Sequence, residues 1–258
     1  MKQIFIGIDF SLKSPAICIY KNGHYKWLSH CSKVESPKKE VIIQEDVALL
    51  SDVNMLYQDD LLLGTDYSSN DRANMSNYRN HASELMSILI SEISYKEMNE
   101  CSFHFGFEGY SFNSFSQSNN IIDIVAATTT FKNTIYDIFH DTEFSVDIMA
   151  PISIKQYAGY SKLDKVDMFD IFTGQQHFVK EKWAEAIEKD FEKKGAKGKP
   201  SVFKWDYLDE GVNGDFHTYC SSHEINRYVK KPKVPKPIDD MIDAYFICCL
   251  LREKFLVA

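Results

Sequence analysis

No stretch of this 258-residue chain approaches the roughly 20 consecutive apolar residues a membrane-spanning helix needs. A protein that does not cross a membrane is therefore expected. The six cysteines, at 18, 31, 101, 220, 248 and 249, contain no C-x-x-C pair, and the last two sit side by side in an apolar run. That argues against a disulfide framework and for reduced, intracellular, cytoplasmic usage. The opening residues Met1-Lys2-Gln3-Ile4-Phe5 are already strand-like and show no signal-peptide cleavage pattern. There is no internal repeat, and no low-complexity segment beyond one basic, proline-containing stretch. A net charge of −8 argues against a protein that coats nucleic acid without selectivity.

Acids outnumber Lys and Arg, 37 to 29, but the positive charge is unevenly spread. Residues 227–236 (R-Y-V-K-K-P-K-V-P-K) hold five cations and no acid, and residues 193–204 are likewise basic. Such runs are solvated loops or contacts to a polyanion. Lys230, Lys231 and Lys233 are the candidates for the second role. With 44% hydrophobic and 14% aromatic residues, the chain has material for one large core carrying insertions.

Residues 4–11 read I-F-I-G-I-D-F-S, a β-branched and aromatic run that stops at Asp9. Runs of this kind are buried strands. An acid at the end of one either caps local amides or holds a cation, because an unpaired buried carboxylate is costly. Residues 15–21 and 24–32 predict two further strands joined by Asn22-Gly23, the signal for a type I′ turn, so the chain opens as an antiparallel meander. Residues 36–79 are polar and read as an irregular insertion with a short helix near 47–56. Helical spacing follows over 81–98, then an aromatic strand at 103–107 that also ends in an acid, Glu108. A helix over 120–139, a strand over 144–149, a short helix over 162–172 and an amphipathic helix over 177–194 come next. Residues 203–223 read as irregular, and 175–236 as a second insertion into a single domain spanning 1–258. Pro237 opens a last helix, where Asp240 and Asp243 lie three apart and share a face in an otherwise apolar segment. Acids in a first turn also serve the helix macrodipole, which accounts more readily for Asp239 and Asp240 than for Asp243.

Two strand-end acids and an i, i+3 pair make four candidate carboxylates: Asp9, Glu108, Asp240 and Asp243. Oxygen-only ligands suit Mg²⁺ or Mn²⁺, and a pair of such ions supports phosphodiester hydrolysis. Three antiparallel strands, then helix, strand, helix, strand, is the element order of the ribonuclease H fold. An α/β, five-stranded mixed sheet flanked by helices is expected.

In this order the motifs resemble those of the RuvC-like Holliday junction resolvases. I-G-I-D-F-S-L carries the first-strand aspartate, F-G-F-E-G the fourth-strand glutamate, and D-M-I-D-A (240–244) the D-x-x-D-A of the last helix. P-I-S-I-K (151–155) and G-Y-S-K-L-D-K (159–165) are similar to the family's P-x-x-x-K and G-x-G-x-A-D-K, with Ser161 and Leu163 replacing its glycine and alanine. Where the family has an aromatic residue three after the glutamate stands Ser111, flanked by Tyr110 and Phe112. The likeness covers residues 2–33, 82–172 and 237–251, and the long insertions resemble viral or bacteriophage members.

The resemblance implies a homodimer that resolves four-way DNA junctions by paired nicks, leaving 5′-phosphate and 3′-hydroxyl ends. It implies that Asp9, Glu108, Asp240 and Asp243 hold Mg²⁺, two ions per site, with Mn²⁺ able to substitute. Lys155, Lys162 and Lys165, with Tyr110 and Phe112, would contact DNA. The rival readings are a less selective nuclease on the same fold, an actin-like ATPase and a non-catalytic binding module. Against the ATPase, no second glycine-rich phosphate motif is seen. His217, Cys220 and His223 have ligand types at short spacing, but no fourth zinc ligand lies near them in the sequence.

Overall fold

A computed structural model of the chain describes residues 2–32, 38–58, 66–109, 120–194, 214–223, 225 and 232–256. The first strand, β1 (Lys2–Asp9), sends alternate side chains to opposite faces of the sheet. Ile4, Ile6 and Ile8 enter one core, and Phe5 enters the other. Strands β2 (Ala16–Lys21) and β3 (His24–Ser32) follow as the expected antiparallel meander. Asn22 at φ 52° and Gly23 at φ 85° make the turn between them, both in the left-handed region that a type I′ hairpin requires.

The segment read as irregular after β3 is largely regular. Helix α1 (Lys38–Ala48) crosses over to β4 (Val53–Gln58), which lies parallel to β3 and adds a sixth strand to the five expected. The helix anticipated near 47–56 is therefore displaced. Val53 and Met55 point inward while Asn54 and Leu56 point outward, a period of two that Leu56 on the outer side conceals.

Helix α2 (Tyr67–Ser91) starts well before the expected position 81. Asp66 caps it, its carboxylate accepting from the Ser69 amide at 2.9 Å. The polar first turns carry no apolar periodicity, so only the buried half (Tyr78, Ala82, Leu85, Met86, Leu89) betrays a helix in the sequence. The short α3 (Tyr95–Glu100) leads into β5 (Cys101–Glu108), α4 (Asn120–Phe139) and β6 (Phe144–Met149). Proline opens α5 (Pro151–Ala158). Then come α6 (Lys165–Phe172), α7 (Gln176–Lys194), α8 (Asp215–Ser222) and α9 (Ile238–Leu256). Helix α8 lies inside the stretch expected to be irregular.

The sheet order is β4-β3-β2-β1-β5-β6, with β1, β2 and β3 antiparallel and β1, β5 and β6 parallel. The protein is thus an α/β fold with a mixed six-stranded sheet between two helical layers. On one face, α2 and α4 cover Ile4, Ile6, Ile8 and the β5 phenylalanines 103, 105 and 107. On the other, α9 packs with Phe169 and Phe172 of α6 and Phe216 of α8 over Phe5, Cys18 and Trp27. Among the described residues no helix is long and apolar enough to cross a membrane.

Candidate functional site

The parallel pairing of β1 with β5 sets Ile8 opposite Phe107, so Asp9 and Glu108 end neighbouring central strands side by side. One pair earlier on the same face, Gly7 stands opposite Gly106. These two glycines make room for α9. A Cβ on Gly7 would collide with the Ala244 carbonyl oxygen and the Cys248 amide nitrogen, and would lie 2.8 Å from the Cys248 Cβ. A Cβ on Gly106 would meet Ile247 Cγ2 at 3.0 Å. Each acid follows its glycine by two residues, so acid and glycine share the sheet face that α9 covers. The helix lying on bare backbone at Gly7 brings its first turns over the strand-end acids.

The electrostatics record that convergence. Burial, then repulsion from Asp240, Glu108 and Asp243, holds the Asp9 carboxyl well above the usual carboxylate range. Burial and Asp243 push Glu108 up to about 7, opposed by Lys165 and Lys155. Asp243 is pushed up to about 6, chiefly by burial, against the pull of Lys165. The four carboxylates singled out from the sequence thus act on one another at one end of the sheet.

Asp240 is 1% exposed and has both oxygens engaged. Its Oδ2 accepts from Ser11 Oγ at 3.0 Å and from Ser14 Oγ, and its Oδ1 accepts from Lys236 Nζ. Asp239 faces aside. Its Oδ1 accepts the Asp240 amide at 3.0 Å and its Oδ2 accepts Lys165 Nζ at 2.8 Å. Among the acids, Asp240 bears most strongly on Asp9, and Asp239 acts together with Asp240 on Asp243. Lys165 Nζ also lies 3.4 Å from Asp243 and 3.9 Å from Asp240. Its ammonium is stabilised by these acids, which raise its pKa against the cost of burial.

Lys155, on α5, is near enough to Glu108 to lower its pKa. Lys162 is exposed in the turn before α6, its ammonium 5.6 Å from the Tyr160 ring centre, and Lys233 is exposed ahead of α9. Tyr110, Phe112, Lys230 and Lys231 lie outside the described residues. His217 pairs its Nε2 with the Phe172 carbonyl oxygen at 3.0 Å and stacks edge-on against that ring, while Cys220 is buried. Both belong to the packing of α8.

Comparison with family models, curated proteins and solved structures finds no match to this chain. Among the described residues no three acidic, histidine or cysteine side chains stand as a ready-made metal cage. Instead the Lys165 and Lys236 ammonium groups stand among Asp239, Asp240 and Asp243. The donor chemistry nonetheless fits a hard divalent cation. All of these donors are carboxylates, they outnumber the two ammonium groups, and their mutual repulsion is what a divalent ion would relieve. Ser11 and Ser14 escaped the sequence reading, and Lys236 was counted there only among the cations of the 227–236 run, not as a partner of the acids. Only the serines' place just after the strand-end Asp9 could have drawn attention to them.

Proposed function

We propose that this chain is a RuvC-like Holliday junction resolvase of the ribonuclease H-like superfamily. It would be a Mg²⁺-dependent endodeoxyribonuclease that nicks four-way junctions in pairs, leaving 5′-phosphate and 3′-hydroxyl ends. The observation that carries this reading is the meeting of Asp9 and Glu108, at adjacent ends of the central parallel pair, with Asp240 and Asp243 of the last helix. The three antiparallel strands followed by two parallel ones, with β1 beside β5, also support it. Strand β4 is an addition to that plan.

Asp9, Glu108, Asp240 and Asp243 would hold the divalent ions, which supply Lewis acidity at the phosphate and lower the pKa of water. The rest is done by the chain. Lys165 brings a cation to the mouth of the acid cluster, half exposed and placed to meet a phosphate oxygen. Lys155, Lys162 and Lys233 would neutralise neighbouring phosphates, contacts that position DNA without reading its sequence. A homodimer would present two such sites to a two-fold junction.

The test is cleavage of an end-labelled immobile four-way junction against linear duplex of the same arms, in Mg²⁺ or Mn²⁺. The expected result is paired symmetric nicks on the junction alone, lost in Asp9→Asn and Asp240→Asn and retained in Asp239→Asn. Equal cutting of duplex would replace the resolvase by a less selective nuclease. Loss in Asp239→Asn alone would overturn the assignment of Asp240. No cutting at all would overturn the nuclease.

A further inference from the structure

The proposed reaction gives Lys236 no task, yet this lysine is built into the acid cluster. It precedes Pro237 at the start of α9, and its ammonium lies 3.2 Å from Asp239 Oδ2 and closer still to Asp240 Oδ1. Asp239 and Asp240 are 6% and 1% exposed at their side chains. Charge placed this deep costs several kcal/mol per ion unless it is paired. Asp240 is also the charge that most strongly destabilises ionised Asp9. The Lys236 cation therefore offsets negative charge at the acid that bears most strongly on Asp9.

We propose that Lys236 is a tethered counter-ion of this cluster, one that a divalent cation must compete with or displace, so that it sets the metal affinity of the site. The inference rests on the metal-site reading and goes beyond it. Lys165 lies on another element, in the block expected to face phosphate. Lys236 sits four residues from Asp240 on the same chain segment, a cation held permanently at high local concentration. Its side chain is 44% exposed, so the ammonium has a route into water. A divalent ion brings twice the charge to acids that outnumber their lysines. The lysine thus keeps the acids ordered before metal arrives and weakens metal binding by opposing it.

The test is Mn²⁺ binding to the full chain without DNA, read from the free-ion electron paramagnetic resonance signal. Lys236→Met is expected to tighten the dissociation constant about tenfold, in the range of coupling between charged sites. Lys236→Arg, which keeps the cation, stays near wild type, and so does Lys189→Met, an exposed lysine of α7 paired with Glu185. Should Lys236→Met fail to fold, acylation of Lys236 in the wild-type protein, followed by mass spectrometry, decides. It is expected to be faster in Ca²⁺ than in EDTA. A constant in Lys236→Met equal to or weaker than wild type overturns the proposal, as does a Lys236 reactivity that Ca²⁺ leaves unmoved. Wild-type protein that binds no Mn²⁺ would instead overturn the metal-site reading itself.

Discussion

Replacing Gly7 by alanine tests whether the site is made by the close approach of α9 to β1. The added methyl would occupy the space of the Ala244 carbonyl oxygen and the Cys248 amide nitrogen. Neither is a side-chain end that can rotate away. Helix α9 must then retreat by roughly 1 Å, and the cost lies at or above the top of the usual overpacking range, about 3 kcal/mol. For a chain of this size that lowers the thermal midpoint by about 6–12 °C. The same retreat draws Asp240 and Asp243 away from Asp9 and Glu108, and a misplacement of that size costs on the order of 10²-fold in rate. Gly106→Ala is the internal control. Its methyl would meet Ile247 Cγ2 at 3.0 Å, Met149 Cε at 3.3 Å and Leu251 Cδ2 at 3.4 Å, all of them side-chain ends able to shift, so about 1 kcal/mol is expected. Thermal melts and metal-dependent nicking of both variants measure this. A Gly7→Ala protein that melts with wild type, or a Gly106→Ala protein that loses more stability, would refute the reasoning.

The metal-free protein should lose stability as pH rises through the range where its acids ionise. Asp9 is held well above its ordinary value, Glu108 at about 7 and Asp243 at about 6. A carboxyl with a raised folded-state pKa favours the folded chain fully below its unfolded pKa, and that contribution disappears as pH climbs through the folded value. In EDTA the melting temperature is therefore expected to fall between about pH 5 and pH 7.5, and to fall less in Glu108→Gln. Parallel curves for the two proteins would count against the cluster. Elsewhere, Asp52 reaches from the loop before β4 to cap α8, accepting the Phe216 amide at 2.9 and 3.1 Å. Asp52→Ala is expected to cost about 1 kcal/mol in denaturant unfolding while leaving nicking unchanged. Loss of nicking with unchanged stability would show that α8 has another role.

Much of the site was legible because its signals are local. A β-branched run ending in an acid needs no knowledge of the rest of the fold, and neither does Asn-Gly between two such runs or a pair of aspartates at helical spacing. The glycine patch was visible but unread. I-G-I-D and F-G-F-E repeat the same spacing, and only the register of β1 with β5 shows that the two glycines are opposed and that a helix lies on them. Strand β4 and the first half of α2 were missed because half-exposed elements bury too few residues to impose a period on the sequence.

By itself, then, the amino-acid sequence determined which residues end the central strands, where the hairpin turns and which helix carries the paired acids. Each of those follows from backbone preference and burial within a few neighbouring residues. Only the tertiary structure decided that Asp240 bears most strongly on Asp9, that Ser11 and Ser14 hold it across more than two hundred residues of chain, and that Lys236 pairs with it. Contacts of that kind depend on how α9 is seated and turned against the sheet. Backbone clearance at Gly7 and burial over the whole of that face decide it, and neither leaves a mark within any short stretch of sequence.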